Sequence, residues 1–224
     1  SLKPMIASIS SDPRIKFFRI PNSGLGAALN YGIKNSSGQY IARLDDDDRM
    51  VANRLEKQVS YLDHHLDVSC VGKMHYDLYG NKYYKHRHFP VKHDDIVKSL
   101  LNFRFALAHT TLMFRRDAFD KIGGYRIPRG GQDLDLELQL GTVGKLANID
   151  EYLNYYTMSA TGLGTVNPKK YEAYLFALQD GGVDAVMFSN EFSLPYQTKV
   201  DAITSMAMAR IIGELMDEIG RAHV

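Results

Sequence analysis

Four consecutive aspartates, Asp45, Asp46, Asp47 and Asp48, follow a largely apolar segment at residues 40–44. Neighbouring carboxylates repel one another by on the order of several kcal/mol at a protein-like dielectric, so water or a cation must share their field. Carboxylate oxygens are the ligands that Mg²⁺ and Mn²⁺ prefer. Mg²⁺ usually takes one or two of them, while substrate phosphates complete its coordination. The run therefore predicts a divalent-cation site that handles a phosphorylated substrate.

Two other interpretations compete for the same residues. One or two of the aspartates could cap a helix that begins near Met50, where the helix dipole favours negative charge, but capping does not use four carboxylates. An EF-hand calcium loop would place Asp45, Asp47 and Glu56 at its first, third and twelfth positions. Arg49 and Met50 then occupy the fifth and sixth positions, which need an oxygen ligand and a glycine. The calcium-loop interpretation therefore fits poorly.

Composition narrows the functional classes. The 224 residues carry 27 Lys+Arg against 26 Asp+Glu, with a formal net charge of +1, so no overall field favours nucleic acid or an anionic membrane. The sequence shows no apolar span of about 18 residues and no signal-peptide pattern, so we expect a cytoplasmic protein, either free or at the inner face of the membrane. The single cysteine, Cys70, excludes an internal disulfide and a thiolate zinc site, and we expect it to be a small buried side chain.

The elements around the aspartates indicate an α/β sheet. Residues 22–30 pass through two glycines into a helix that ends before residue 35, and such a junction lets backbone amides approach a phosphate or ribose. Residues 39–44 have the composition of a strand, and ligands bind at the carboxyl ends of strands in open α/β sheets. Apolar residues at three- and four-residue intervals predict a helix over residues 50–62. The aspartates thus lie between a strand and a helix.

The rest of the first 158 residues divides into further short elements. Residues 83–88 are aromatic and basic, and form either a lid over an anionic substrate or an edge strand. The leucines of residues 134–140 alternate strictly, which by period alone predicts a strand. The other predictions are helices at residues 4–10 and from residue 94, a short helix after residue 116, and strands at residues 14–20, 68–71, 74–78, 109–114, 145–149 and 152–158.

Several of these segments together resemble family 2 glycosyltransferases. The resemblance rests on residues 22–30, 38–48, 54–58, 115–116, 123–125 and 132–136, in the family's order and at plausible spacing. It implies a domain over residues 1–165 with the α/β GT-A fold of nucleotide-diphospho-sugar transferases, a mixed sheet flanked by helices. It also implies that residues 134–140 are helical, with Asp133 at the start of the helix. This conflicts with the strand that the alternating leucines predict.

The resemblance also implies roles for single residues. Asp45, Asp46 and Asp47 match the DxD motif, with Asp45 and Asp46 on the nucleotide-sugar and Asp47 on Mg²⁺ or Mn²⁺. Asp133 matches the catalytic base, against the alternative that it only caps its helix. The implied reaction is inverting transfer from a nucleotide-sugar, a UDP-sugar first of all, to a hydroxyl of a glycan or lipid-linked acceptor in polysaccharide or glycoconjugate synthesis. The residues that match the loop beside the nucleotide are Asn22, Gly24, Gly26 and Asn30.

Two alternatives to an active glycosyltransferase stay open. A nucleotidyltransferase can use a related sheet and metal site. The family's opening strands, one of which ends in Asp-Gly-Ser, have no counterpart in these residues, so we expect either a fragment of a longer product or an inactive chain with a structural or interaction role.

The last quarter of the chain follows another pattern. Residues 177–196 and 206–216 resemble part of the BtpA/SgcQ family of (βα)₈-barrel proteins, which predicts a strand at residues 183–188 and an amphipathic helix over about residues 199–219. One βα unit cannot close a barrel. We therefore expect residues 166–224 to be a fused appendage without activity, whose apolar helix face packs on the first domain or on a second copy in a homodimer.

Overall fold

A computed structural model describes residues 12–101, 105–126 and 132–158. The predicted helix at residues 4–10 and the whole appendage, residues 166–224, lie outside these ranges. None of the helices within them has the length and apolar character needed to cross a bilayer.

Helices and strands are interspersed along the described chain. The helices are α1 Leu25–Lys34, α2 Arg54–His64, α3 His93–Leu101, α4 Arg116–Lys121 and α5 Gln132–Val143, with a 3₁₀ turn at His109–Thr111. The strands are β1 Tyr40–Ala42, β2 Arg49–Met50, β3 Val68–Tyr79, β4 Lys82–Lys85, β5 Met113–Arg115 and β6 Lys145–Thr157.

The six strands form one mixed sheet in the order β1-β5-β3-β6-β2, with β4 paired to β3. The central pair, β3 and β6, is parallel, and the other pairs are antiparallel. This agrees with the mixed α/β sheet that the sequence predicts. β3 and β6 each run through a segment where the sequence indicated two shorter strands, since bulges absorb the irregular residues between them.

Successive residues of the central strands face opposite layers of helix, as the period of two requires. Cys70 and Phe114 pack with α1, α3, α4 and α5, whereas Val71 and Met113 pack with α2 on the other face. Cys70 is fully buried, as expected from its apolar surroundings. Both faces of the sheet are therefore covered around its centre.

The helix α5 overturns the strand predicted from alternating leucines. Leu136, Leu138 and Leu140 are buried, but so are Asp135 before them and Glu137 between them. A helix enclosed on most sides shows no single apolar stripe, so its sequence period carries no information about its conformation. The helix that the family resemblance implies is confirmed.

Other segments also differ from the sequence predictions. In the strand predicted at residues 109–114, His109–Thr111 forms a 3₁₀ turn and the strand begins only at Met113. Residues 15–20 have no regular secondary structure, because none of the described strands pairs with them and β propensity depends on such packing. The helix predicted from residue 50 begins at Arg54, since Arg49–Met50 pairs with β6 instead. Residues 82–85 form an exposed strand beside β3, which favours the edge-strand interpretation of this basic segment over a lid.

Candidate functional site

The acidic run forms a turn that Thr110 closes. The backbone N–H of Asp45 donates to Thr110 Oγ1 at 3.0 Å, and that hydroxyl donates to Asp48 Oδ2 at 2.6 Å. The N–H of Asp48 also donates to the carbonyl of Asp45 at 3.2 Å. The 3₁₀ turn that carries Thr110 thus fixes both ends of the run.

Asp48 is a buried anchor and not an open ligand. Its Oδ1 accepts the N–H of Thr157 at 2.8 Å, and the hydroxyl of Thr157 donates to the carbonyl of Asp47. Burial raises the pKa of Asp48, and the hydrogen bonds from Thr110 and Thr157 oppose that rise. Asp48 therefore ties the run to the end of β6.

Two buried basic side chains lie near Asp48. Arg54 has no exposed surface; it donates from Nη2 to the carbonyl of Arg43 at 2.6 Å and from Nε to Gln58 Oε1 at 2.8 Å. Burial lowers the pKa of Arg54 to about 10, and the charge of Asp48 acts in the opposite direction. Lys73 is also fully buried. Burial and then the charge of Arg54 lower its pKa to about 6, while Asp48 again acts in the opposite direction.

The other three carboxylates are more open. Asp45 accepts an ion pair from the buried Arg43, with Nη2 and Oδ1 2.7 Å apart. Asp46 and Asp47 are exposed, and within the described ranges their side chains take part in no hydrogen bond or ion pair. Uncommitted hard oxygen donors beside one another fit Mg²⁺ or Mn²⁺ with room for phosphate ligands.

Asp133 lies in the first turn of α5, where the dipole favours a carboxylate. Its neighbour Asp135 is occupied by an ion pair with Arg126. Burial, and after it the charge of Asp133, raises the pKa of Glu137 one turn along the helix. Asp133 thus stands beside a buried acid, at the start of the helix.

Tyr156 of β6 links Asp133 to the acidic run. Its pKa is raised first by burial and then, in decreasing order, by the charges of Asp48, Asp45, Asp47 and Asp133. All four carboxylates therefore lie within electrostatic reach of one phenol. The structure brings the two acidic motifs into one region.

Helix α1, which the glycine turn opens, contacts Tyr125 through Asn30. Gly24 caps α1 with φ 95°, Gly26 is buried in its first turn, and Asn22 is exposed just before it. Asn30 uses its whole amide on the backbone of Tyr125, accepting its N–H at 2.9 Å and donating to its carbonyl at 2.8 Å. The structure thus gives Asn30 a contact with protein, and contact of these residues with a nucleotide stays a prediction.

Gly124 makes that contact possible. Its φ is 82°, and a Cβ there would lie 2.9 Å from Asn30 Oδ1, so only glycine fits without strain. The hydroxyl of Tyr125 lies 2.8 Å from His109 Nε2. Burial raises the pKa of Tyr125, and the charge of Arg43 opposes that rise. A chain of contacts therefore runs from α1 to the arginine that holds Asp45.

Several residues of the site were not singled out from the sequence. Arg54 and Gln58 are four residues apart in a segment of the family resemblance, and this spacing on a helix could have predicted their contact. Nothing in the sequence marks Lys73, Tyr156 or Thr110, because each acts through a neighbour that is distant along the chain.

Comparison with known proteins divides the chain in two. The model of glycosyl transferase family 2 matches residues 2–123, and that of the BtpA family matches residues 166–222. The putative sgc region protein SgcQ of Escherichia coli is 76% identical over 45 residues, 20% of this chain and 17% of that protein. The resemblance of the tail to this family is confirmed.

The first part matches glycosyltransferases. The O-antigen biosynthesis glycosyltransferase WbnJ of Escherichia coli is 35% identical over 130 residues, 58% of this chain and 50% of that protein. S. aureus TarS, crystallised in complex with UDP-GlcNAc, shares the fold with a TM-score of 0.58 at 11% identity, over 91% of this chain and 58% of that one. The chain spans about half the length of the glycosyltransferase WbnJ. Since the family's model covers more than half of the residues, this chain belongs to glycosyl transferase family 2.

Proposed function

We propose that this chain is the catalytic part of a metal-dependent, inverting glycosyltransferase that moves a sugar from a nucleoside diphosphate to an acceptor hydroxyl. The observation that carries the proposal is that the charges of Asp45, Asp47 and Asp133 all act on the phenol of Tyr156, so the two acidic motifs share one electrostatic environment. One carboxylate group for a cation and a second for a proton are the two parts that such a reaction requires. A UDP-sugar is the first donor to test, because TarS, which has a similar fold, was crystallised with UDP-GlcNAc.

In this proposal Asp47 would hold Mg²⁺ or Mn²⁺, which when bound offsets the negative charge of the diphosphate leaving group, and Asp46 beside it would contact the nucleotide-sugar. Asp45, which is held by its ion pair with Arg43, would contact the nucleoside. Buried Asp48 and its bonds to Thr110 and Thr157 keep the turn in place. The protein therefore holds the donor with a rigid turn, which aligns the reacting atoms.

Asp133 is the proposed general base. It accepts the proton of the acceptor hydroxyl as the oxygen attacks the anomeric carbon, and the bond to the diphosphate breaks on the opposite side. Attack from the face opposite the leaving group inverts the anomeric centre. Asp135 of the same turn is committed to Arg126, which leaves Asp133 as the carboxylate for this role. The acceptor would be a glycan or a lipid-linked sugar, and the process polysaccharide or glycoconjugate synthesis.

Asp47→Ala tests the metal role. We expect calorimetry of the full chain with UDP and Mn²⁺ to show metal-dependent binding that the variant loses, because one carboxylate ligand is gone. Asp120→Ala, an exposed aspartate of α4, is the control and should bind as the unaltered chain does. If the unaltered chain binds no UDP with or without Mn²⁺, the proposal fails.

Asp133→Asn tests the base. The variant should bind UDP and Mn²⁺ normally, yet release UDP from a bound UDP-sugar at least about 100-fold more slowly, with water as the acceptor, since general bases contribute factors of that size. Asp94→Asn removes an equivalent first-turn carboxylate from α3 and controls for capping. Equal rates in the Asp133 variant and the unaltered chain would show that Asp133 is only a cap.

A further inference from the structure

A second group of possible metal ligands lies on the hairpin of β3 and β4. His75 and Asp77 are two residues apart on β3, so they share one face of the strand. The register pairs Tyr76 with Lys85, which places His86, just past β4, opposite His75. The N–H of His86 donates to the carbonyl of His75 at 3.1 Å. The three side chains are brought together by the hairpin itself.

The ligand atoms are close to one another. His86 Nδ1 lies 2.9 and 3.0 Å from the two oxygens of Asp77, and His75 Nε2 lies 3.3 Å from Asp77 Oδ1. One nitrogen or oxygen of each side chain lies within 4.8 Å of those of the other two. Ligand atoms around a tetrahedral ion with bonds of about 2.0–2.1 Å are themselves about 3.3 Å apart. The spacing of these ligand atoms is therefore already close to that of a metal site.

The surroundings hold these side chains in place. His75 is 5% exposed, Asp77 18% and His86 28%. The rings of His75 and His86 stack with centroids 4.3 Å apart, and Phe89 packs against both. The hydroxyl of Tyr152 donates to the carbonyl of His86 at 3.0 Å. The group is enclosed by aromatic rings and open to solvent mainly beside His86.

We propose that His75, Asp77 and His86 bind a borderline divalent cation such as Zn²⁺, which clips the β3–β4 hairpin. Two imidazoles and one carboxylate suit Zn²⁺, Co²⁺ or Ni²⁺, whereas the all-oxygen acidic run suits Mg²⁺ or Mn²⁺. Three protein ligands leave a fourth position for water or another small ligand. This site does not depend on the proposed sugar transfer.

Co²⁺ is the probe, because its visible absorption reports both binding and coordination. The full chain, freed of metal with a chelator, is titrated with Co²⁺, and Zn²⁺ is then added as competitor. We expect one equivalent of Co²⁺ to give tetrahedral absorption bands that Zn²⁺ removes. His86→Gln should weaken Co²⁺ binding by at least about 100-fold, since even outer-shell partners of a metal contribute factors of 10 to 100.

Two variants make the result specific. His88→Gln alters an exposed histidine of the same segment, which pairs with Asp150, and should bind Co²⁺ as the unaltered chain does. Asp47→Ala should also keep the Co²⁺ bands, because the acidic run is a different site. Zn²⁺ should raise the melting temperature of the unaltered chain but not that of His86→Gln. Absence of tetrahedral Co²⁺ bands in the unaltered chain, their retention in His86→Gln, or their loss in Asp47→Ala would each overturn the proposal.

Discussion

The amino group of Lys73 is fully buried, with Asp48 and Arg54 as charged neighbours and no hydrogen-bond acceptor for Nζ within the described ranges. Burying a charge without such a partner costs on the order of several kcal/mol, so burial lowers the pKa of Lys73 to about 6 and the folded chain gives up the proton near neutral pH. Lys73 is thus a destabilising residue beneath a region that the proposed function uses. The acidic run above it is held by neutral donors, Thr110 and Thr157, as well as by cations.

We expect Lys73→Met to stabilise the fold by about 1–4 kcal/mol near neutral pH, as when other buried ionic groups are replaced by apolar ones of similar size. The pKa of Lys73 falls from 10.5 to about 6 on folding. Between these values the unfolded chain binds more protons than the folded one, so this lysine makes stability rise with pH. Lys73→Met should remove that part of the slope.

Urea unfolding of the unaltered chain and the variant at several pH values in that window checks this prediction. Lys82→Met, an exposed lysine of β4, serves as the control and should change little. A loss of stability in Lys73→Met at every pH would instead mean that the charge of Lys73 balances Asp48.

The sequence identified residues whose own chemistry is distinctive and missed those that act through a distant partner. Asp47 and Asp133 stand out in acidic motifs, and their placement around Tyr156 is consistent with the roles implied by the resemblance. His75 and His86 are eleven positions apart, and only the β3–β4 register makes them neighbours. No periodicity along the chain encodes that register before the turn is known.

Among the elements, β3 and β6 pack closely where Gly72 faces Asn148. A Cβ on Gly72 would lie 2.3 Å from Asn148 Oδ1 and 2.7 Å from a methyl carbon of Leu107. Asn148 cannot easily move away, since its Nδ2 donates to the carbonyls of Pro90 and Ala106 at 2.7 and 2.8 Å. Gly72 is therefore required by the spacing between the two central strands and their neighbours.

We expect Gly72→Ala to lower the free energy of unfolding by about 1–3 kcal/mol, because the added methyl group overpacks the core. Gly32→Ala should have the opposite effect and raise the free energy of unfolding. Nothing lies within 4 Å of its Cβ position on α1, and alanine favours a helix over glycine by up to about 1 kcal/mol. Urea unfolding of both variants tests the pair, and stabilisation by Gly72→Ala would show that β3 and β6 have room to separate.

The sequence predicted the type of an element correctly where one face of that element is buried. The prediction failed where burial of the element is nearly complete or absent. The apolar spacing of α2 predicted a helix because only its inner face, with Leu62, packs on the sheet. The leucines of α5 misled because polar neighbours such as Glu137 are buried beside them. The strand predicted at residues 15–20 was wrong because these residues are not packed. Phe17 and Phe18 are exposed, and no described strand pairs with them.

At the scale of the whole molecule, the chain joins segments that match two unrelated families. The candidate site residues all lie between Asn22 and Thr157, and the match to the BtpA family begins at residue 166. The division into domains at residues 1–165 and 166–224 stays a prediction.

Removing residues 166–224 should therefore leave the affinity for UDP with Mn²⁺ unchanged within about twofold, or ~0.4 kcal/mol. Calorimetry on the shortened and the full chain measures this, and gel filtration of both shows whether the tail makes a dimer. A tenfold weaker affinity in the shortened chain would mean that the tail contributes to the site.

The contact between Asp48 and Thr157 joins residues 109 positions apart, and it has a consequence for biosynthesis. While the chain emerges from the ribosome, the four aspartates appear long before the strand that receives them. Until residue 157 is free to pair, Asp48 lacks the backbone N–H that it accepts from Thr157 of β6. The edge of β3 that pairs with β6 also lacks its parallel partner until then. Long-range parallel pairing forms slowly and leaves the strand edge exposed to aggregation meanwhile. A nascent chain that stalls between residues 123 and 145 would thus contain the whole stretch that defines its family and still lack a formed site.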